Sequence, residues 1–384
     1  MSVKLFPKGT VPSFPLTSPP KPYGHNGKEW FAREINFTDR VIAITHPFPD
    51  MIDLVAPISE HTQCFPDLSE KPPLQKAQQL DQEIKTHLKA FPAVEDIKLR
   101  RIWPPHSPER ASICLESEGQ HLGFVELWRT NNEGFPSWSI RIEFNPRRLG
   151  VQGLERLRAR FEMAFCMLNL GSIFREARMS RLDASVDVLG VLPIDLIVRV
   201  KGLAKMQDYR SRSGALETRL FFGEKLPSTK PTKPLGPLRL KIYDKVAECK
   251  ASLKPAPFSA QRITRLEVSR TWKSHRPALV KILSVKNPFV GLEVACSGRD
   301  DLVNSRLWHS IVEKACVYGI ENVPIGKPVG QGVKLASIYR TIQPDILSSK
   351  TWESWETGCA LTGLLDWVKD VCEDDYASLP FNFE

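Results

Sequence analysis

Hydrophobic and polar residues alternate along several short stretches in the middle third of the chain. In Trp138–Asn145, for example, Ile140, Ile142 and Phe144 alternate with polar residues. A period of two residues is typical of a β-strand with one buried and one polar face. The predicted strands are 111–115 and 121–129 as a hairpin, 138–145, 181–189, 218–223, 238–245 and 262–270, with one more at 40–45.

Other stretches have the three- and four-residue spacing of amphipathic helices. In 151–170 the apolar residues Leu154, Leu157, Phe161 and Phe165 follow this spacing. A second helix is expected to begin near Pro193 and to continue to Tyr209. Further helices are predicted at 74–90, 302–318 and 352–372.

These elements predict an α+β protein with a central antiparallel β-sheet and helices packed on one face of it. Prolines are frequent before residue 75, so residues 1–105 are predicted to be a Pro-rich N-terminal arm followed by a helix. Residues 106–285 form the predicted core, and residues 286–384 a mainly helical C-terminal region.

Positive charge is concentrated in the predicted core. The whole chain of 384 residues has a net charge of +9, but residues 141–280 hold 28 Lys and Arg against 12 Asp and Glu, a net charge of +16. Such clustering is typical of proteins that bind nucleic acid through phosphate contacts. A solvated basic face without a partner is the alternative.

The cysteine, histidine and hydropathy patterns bear on whether the chain has a zinc site, a disulfide framework or a membrane span. The eight cysteines are scattered without a CxxC pair, which favours reduced thiols over a zinc site or a disulfide framework. The eight histidines form no HxH or HExxH motif. No long apolar run or signal peptide is evident, so we expect a cytoplasmic protein without a membrane partner.

Four of the predicted strands place polar side chains on one face of the sheet. In LRLKIYDK, at 238–245, Tyr243 shares a face with Arg239, Lys241 and Lys245. Nearby cations favour a phenolate and attract phosphate. The other strands contribute carboxylates whose oxygens suit Mg²⁺ or Mn²⁺. The set matches the needs of phosphodiester transfer by tyrosine, although a surface salt-bridge ladder and a packing tyrosine are the alternatives.

The order of these motifs resembles a known family, the rolling-circle replication-initiation factors of small plasmids and filamentous phages. The resemblance covers about residues 110–275, and no paired-histidine motif is present. Its motifs are RLDASVD at 181–187, TRLFFG at 218–223, LRLKIYDKVAE at 238–248 and TRLEVSR at 264–270, preceded by IEFNPRRL at 142–149.

This resemblance implies an enzyme that nicks one DNA strand at an origin. Tyr243 would form a covalent bond to the 5′ phosphate and leave a 3′ hydroxyl as primer, with Lys245 and Arg265 as catalytic cations. Asp183 and Glu267 would hold Mg²⁺ or Mn²⁺, with Asp187 and Glu248 as weaker candidate ligands. The DNA-binding residues would be Arg181, Arg239, Lys241 and Arg141.

The implied partners are an origin hairpin or a single-stranded nick site, together with a host helicase or polymerase. The oligomeric state stays open, a dimer included. Two other functions remain compatible with the sequence. The first is a non-catalytic, sequence-specific DNA-binding regulator on the same scaffold, and the second is a structural protein of a mobile element.

Overall fold

The structure is a computed structural model. It describes most of the chain between residues 28 and 373. The described ranges are 28–36, 41–58, 72–91, 96–103, 109–132, 135–166, 168–200, 205–210, 216–222, 238–252, 256–258, 260, 262–297, 342–347 and 349–373.

Within these ranges, strands outnumber helices. The strands are β1 (Phe31–Asn36), β2 (Val41–Thr45), β3 (Phe48–Ile58), β4 (Ile97–Trp103), β5 (Arg110–Ser117), β6 (Gln120–Asn132), β7 (Phe135–Phe144), β8 (Arg178–Leu189), β9 (Leu196–Val200), β10 (Lys205–Arg210), β11 (Leu216–Phe222), β12 (Leu238–Asp244), β13 (Ile263–Thr271), β14 (Leu292–Ser297) and β15 (Ile342–Leu347). The helices are α1 (Pro73–Lys89), α2 (Pro146–Ala164), α3 (Leu170–Glu176), α4 (Lys245–Ala251), α5 (Trp355–Leu361) and α6 (Leu364–Glu373).

A large antiparallel sheet organises the molecule, as the sequence predicts. Its strand order is β10-β11-β12-β13-β8-β3-β7-β6-β5-β4, and β2 also pairs with β8 while β1 pairs with β2. A second, three-stranded sheet has the order β15-β14-β9. The four strands with the polar motifs, β7, β8, β12 and β13, therefore belong to one sheet, and β3 separates β7 from β8.

The hydrophobic core explains this arrangement. The apolar positions of β8, β12 and β13, such as Leu182, Leu240 and Leu266, are buried in one continuous cluster. Helices α1, α2, α3 and α6 contribute buried side chains to the same cluster, including Leu157 of α2 and Trp367 of α6. The helices therefore pack on the face of the sheet that carries the apolar side chains of these alternating strands.

Two expectations about individual elements are wrong, and a third is confirmed as a helix but with different bounds. Residues 48–58 do not belong to an irregular arm, because they form β3 in the interior of the sheet with both faces largely buried. The helix expected from Pro193 to Tyr209 is instead a short 3-10 turn followed by β9 and β10. The helix expected at 151–170 begins at Pro146 and ends at Ala164, and α3 follows.

The predicted C-terminal region, residues 286–384, contains strands as well as helices. The helix expected at 352–372 is a 3-10 turn followed by α5 and α6, with Gly363 at a positive φ of 74° between the two helices. The region also includes β14 and β15. The expected helix at 302–318 and the loop at 224–237 lie outside the described residues. No helix in the described ranges combines the length and the apolar character needed to cross a membrane.

Candidate functional site

Strand register brings the polar motifs together. In the β12–β13 pair, Lys241 lies opposite Glu267 and Tyr243 lies opposite Arg265. In the β13–β8 pair, Arg265 lies opposite Asp187. Because directly opposed residues of antiparallel strands point to the same face, these side chains share one side of the sheet.

A cavity of about 270 Å³ lies over this part of the sheet. Seven of the ten residues predicted to form the site, counting Tyr243 itself, line this cavity. The lining residues are Asp50, Met51, His121, Leu122, Glu143, Phe144, Asn145, Arg148, Leu149, Arg181, Asp183, Lys241, Tyr243, Lys245, Glu248, Arg265 and Glu267. The cavity therefore contains one phenol, several carboxylates and several cations.

Tyr243 is held inside the cavity wall. Its side chain is only 4% exposed, and its hydroxyl donates a hydrogen bond to Glu267 Oε2 at 3.1 Å. The Lys241 ammonium lies 4.0 Å from the centroid of its ring. Burial, followed by the charge of Glu267, raises the pKa of Tyr243 well above its ordinary value. The expectation that neighbouring cations favour the phenolate is therefore wrong for this arrangement, because desolvation outweighs them.

Three buried carboxylates, Glu267, Asp183 and Asp50, line the same cavity as Tyr243. Burial and the charge of Asp183 raise the pKa of Glu267. Burial also raises the pKa of Asp183, although Arg181 opposes the shift. Burial alone would raise the pKa of Asp50 too, but the charges of Arg265 and Lys245 outweigh it and lower that pKa. The carboxylates thus repel one another, and their negative charge is only partly compensated.

Arg265 is fixed by two of its neighbours and is only 1% exposed. Its Nε and Nη2 donate to the two Asp187 oxygens at 2.6 and 2.8 Å, and its Nη1 donates to Asp50 Oδ1 at 2.9 Å. Burial opposes the charged form, yet Asp187 and Asp50 raise the pKa of Arg265 well above its ordinary value. Asp187, expected as a metal ligand, does not line the cavity, and both of its oxygens are used to hold Arg265.

Lys245 reaches the cavity by a different route from the one predicted. β12 ends at Asp244, whose side chain accepts a hydrogen bond from the Ala247 backbone N–H and caps α4. Lys245 is therefore the first helical residue, not the last position of a strand. Its ammonium lies 2.6 Å from Glu248 Oε2, and both side chains line the cavity.

Two of the four predicted DNA-binding residues line the cavity and two do not. Lys241 and Arg181 line the cavity, and Arg181 forms an ion pair with Asp183. Arg141 is paired with Asp53 and Glu143 at 2.6 and 3.0 Å and does not line it. Arg239 also lies outside the cavity wall; its guanidinium donates to Ser269 Oγ at 3.3 Å.

Asp50 is the main residue that sequence reasoning missed. The pairing of β3 with β8 shifts register between Pro49 and Met51, so Asp50 occupies a β-bulge. Bulges redirect a side chain and are frequent beside functional sites. Asn145, the N-cap of α2, also donates a hydrogen bond to Asp50. The only sequence signal is a pair of aspartates, Asp50 and Asp53, in an otherwise apolar segment.

The cavity residues supply oxygen ligands of the kind that a divalent cation prefers, but in the described part of the chain no three of these carboxylates bring ligand atoms within 4.8 Å of one another. Asp183, Glu267 and Asp50 supply carboxylates, the ligands that Mg²⁺ and Mn²⁺ prefer. A cation would relieve the mutual repulsion of Asp183 and Glu267. Ser185 Oγ, whose residue lies opposite Glu267 in the sheet, is buried without a hydrogen-bond partner in the structure, but Ser185 does not line the cavity.

Comparison with known proteins adds no relative. A scan of the chain against models of protein families finds no match, and a search of curated protein sequences finds none either.

Proposed function

We propose that the protein nicks one strand of DNA and forms a covalent bond between Tyr243 and the 5′ phosphate, as expected of an initiator of rolling-circle replication. The observation that carries this proposal is the hydrogen bond from the Tyr243 hydroxyl to Glu267, in a cavity that also contains Asp183 and several cations. A nucleophile and its proton acceptor within hydrogen-bond distance are the basic requirement of covalent catalysis.

The chemistry balances with the residues in the cavity. The Tyr243 oxygen forms a bond to phosphorus while its proton passes to Glu267 Oε2. The bond from phosphorus to the 3′ oxygen breaks, and that oxygen takes up a proton from water to become the 3′ hydroxyl. Burial and the charge of Asp183 raise the pKa of Glu267 in the metal-free cavity, which suits a proton acceptor, whereas a cation bound to the same carboxylate would lower that pKa.

The cations have separate tasks. Lys241 covers the Tyr243 ring on a flexible side chain, so it can both attract a phosphate and move aside for it. Arg265 is held rigidly by Asp187 and Asp50, which suits a fixed donor to a phosphoryl oxygen. Asp183 and Glu267, with Asp50 beside them, would hold Mg²⁺ or Mn²⁺. When bound, that ion would neutralise a non-bridging phosphate oxygen.

The decisive experiment compares wild-type protein with Tyr243→Phe on negatively supercoiled plasmids. The plasmids carry DNA cloned from either side of the chain's own coding sequence, and the buffer contains Mg²⁺. Wild type should convert supercoiled to open circular DNA and remain attached to labelled DNA after denaturation in detergent. Tyr243→Phe should lose both activities. Tyr209→Phe, at a half-exposed position of β10, is the matched control and should keep both.

Equal nicking by wild type and Tyr243→Phe would show that Tyr243 is not the nucleophile. Glu267→Gln should lower the nicking rate by about 10²- to 10⁴-fold, the usual contribution of a positioned proton acceptor.

One observation favours the regulator as a second candidate. Tyr243 is almost completely buried and its pKa is raised, as in a tyrosine that only packs. A regulator would retain DNA binding without cutting. In that case neither wild type nor Tyr243→Phe would nick, and both would bind DNA with an affinity that falls steeply as salt increases.

A further inference from the structure

A second cluster of ligand-type side chains lies on the hairpin of β5 and β6. Cys114 Sγ is 3.0 Å from His121 Nδ1 and 3.6 Å from Glu116 Oε1. The candidate ligand atoms of the three residues all lie within 4.8 Å of one another. Among the residues that the structure describes, no other group of three Cys, His, Asp or Glu side chains meets this criterion.

The hairpin fixes the three side chains before any ion binds. Cys114 and Glu116 are two residues apart on β5, and Glu116 is paired with His121 across the hairpin. The connecting turn contains Glu118 and Gly119, both at positive φ, 50° and 75°. Two central residues with positive φ are typical of the tight turn that favours a two-residue hairpin. The ligand set is therefore preorganised by local structure.

We propose that Cys114, Glu116 and His121 bind Zn²⁺. Thiolate, imidazole and carboxylate are the three ligand types that zinc takes in proteins. With bonds of about 2.0–2.3 Å to a tetrahedral ion, neighbouring ligand atoms are separated by about 3.3–3.8 Å. The two distances from Cys114 Sγ, 3.0 and 3.6 Å, are within a few tenths of an ångström of that range.

Two neighbouring cations suit the site in different ways. Arg100 Nη2 lies 3.6 Å from Cys114 Sγ, close enough for its charge to balance part of the negative charge of a metal-bound thiolate. The Lys98 ammonium is paired with Glu116, but its side chain is 65% exposed. A surface ion pair of this kind contributes little, so Lys98 can release the carboxylate to an ion at small cost.

The site adjoins the candidate nicking cavity without depending on its function. His121 lines that cavity, whereas Cys114 and Glu116 do not. Three protein ligands leave one tetrahedral position for water or another ligand, as in zinc sites that are not closed. The ligand spacing, C-x-E-x₄-H, differs from the paired-cysteine patterns, which is why the sequence predicted no zinc site.

The test is a Co²⁺ titration of the full chain after chelator treatment. Cobalt in a thiolate site gives a charge-transfer absorption band, so binding is observed without any activity assay. We expect saturation at about one ion per chain and displacement of the band by Zn²⁺. Cys114→Ser should remove the band. Cys249→Ser is the matched control, because Cys249 is also buried beside a glutamate, and it should keep the band.

Two further variants test the other ligands. His121→Gln should weaken Zn²⁺ binding at least about 100-fold, more than the 10- to 100-fold typical of outer-shell changes. Lys98→Ala should strengthen it, because it removes the competitor for Glu116. Circular dichroism of each metal-free variant verifies that it is folded. Absence of the band in folded wild type, or its persistence in Cys114→Ser, would overturn the proposal. Weaker binding by Lys98→Ala would contradict the assignment of Glu116.

Discussion

Arg265 is the most strongly held side chain of the candidate site. Arg265, on β13, binds Asp187 on β8 and Asp50 on β3. One guanidinium therefore links the side chains of all three strands. Asp187 is completely buried. Removal of one partner from a buried ionic network leaves the other charges uncompensated, which costs far more than the network contributes as a whole.

Replacement of Arg265 by methionine should therefore destabilise the protein by about 3–5 kcal/mol. The free energy of unfolding in urea measures this loss. Arg156→Met is the control, because Arg156 pairs with Glu118 on the surface and should contribute less than about 1 kcal/mol. If the two variants lose the same free energy of unfolding, Arg265 does not hold the sheet in the way the contacts indicate.

At the scale of elements, a close approach joins α5 to the main sheet. Gly358 of α5 packs against the backbone between β2 and β3, and a Cβ atom built on it would lie 1.7 Å from the Pro47 carbonyl oxygen. A backbone carbonyl cannot move aside as a flexible side chain can. Glycine is therefore required here for packing, not for its conformational freedom.

Gly358→Ala should consequently destabilise the protein by at least about 1–3 kcal/mol, the usual cost of overpacking, although alanine is the better helix former. Thermal or urea unfolding measures the change. Thr357→Ala, one residue earlier on the exposed side of the helix, should stay within about 0.5 kcal/mol of wild type. A stabilised Gly358→Ala variant would mean that α5 does not contact β3 this closely.

Strands with one polar face were predictable from the sequence even where that face is buried, and strands that are apolar on both faces were not. β8, β12 and β13 keep a visible alternation because one side meets the helices and the other the polar cavity. β3 is buried on both faces, so its apolar run, interrupted by Pro49 and Pro57, has no alternation. β9, LIVRV, is a short apolar run of the kind that periodicity cannot assign to helix or strand.

The candidate site was also predictable where its residues lie on strands with one polar face, and not where tertiary contacts decide. Tyr243, Asp183, Glu267 and Arg265 lie on alternating strands, and the structure brings them to one face. Asp50 was missed because a bulge, which depends on tertiary pairing, turns it toward Arg265. The pKa of Tyr243 was missed because burial depends on the surrounding chain, which local sequence does not specify.

At the scale of the molecule, β3 makes the N-terminal segment part of the core. It pairs with β7 on one side and with β8 on the other, and Ile52 and Leu54 are buried in the main cluster. Without this strand, β7 and β8 would each lose a pairing edge, and the core would lose a central layer. The segment therefore cannot be separated from the sheet as an independent arm.

A chain consisting of residues 106–384 should for that reason fail to unfold cooperatively and should aggregate through its exposed edges. Co-expression with a separate chain of residues 1–105 should restore a soluble complex. The chain of residues 1–105 with Ile52→Asp and Leu54→Asp should not restore a soluble complex. Near-ultraviolet circular dichroism and size-exclusion chromatography distinguish these outcomes. Cooperative unfolding of residues 106–384 alone would contradict the central position of β3.

The ion pair between Asp50 and Arg265 has a consequence for biosynthesis. The two residues are 215 positions apart in the chain. On the ribosome, at about 5–20 residues per second, β3 emerges roughly ten seconds or more before its arginine partner. During that interval the bulge carboxylate remains hydrated, and β3 has a free edge until β8 is made. The nascent chain therefore cannot complete its cavity before Arg265 and Glu267 have been made, and chaperone protection of β3 is most important before then.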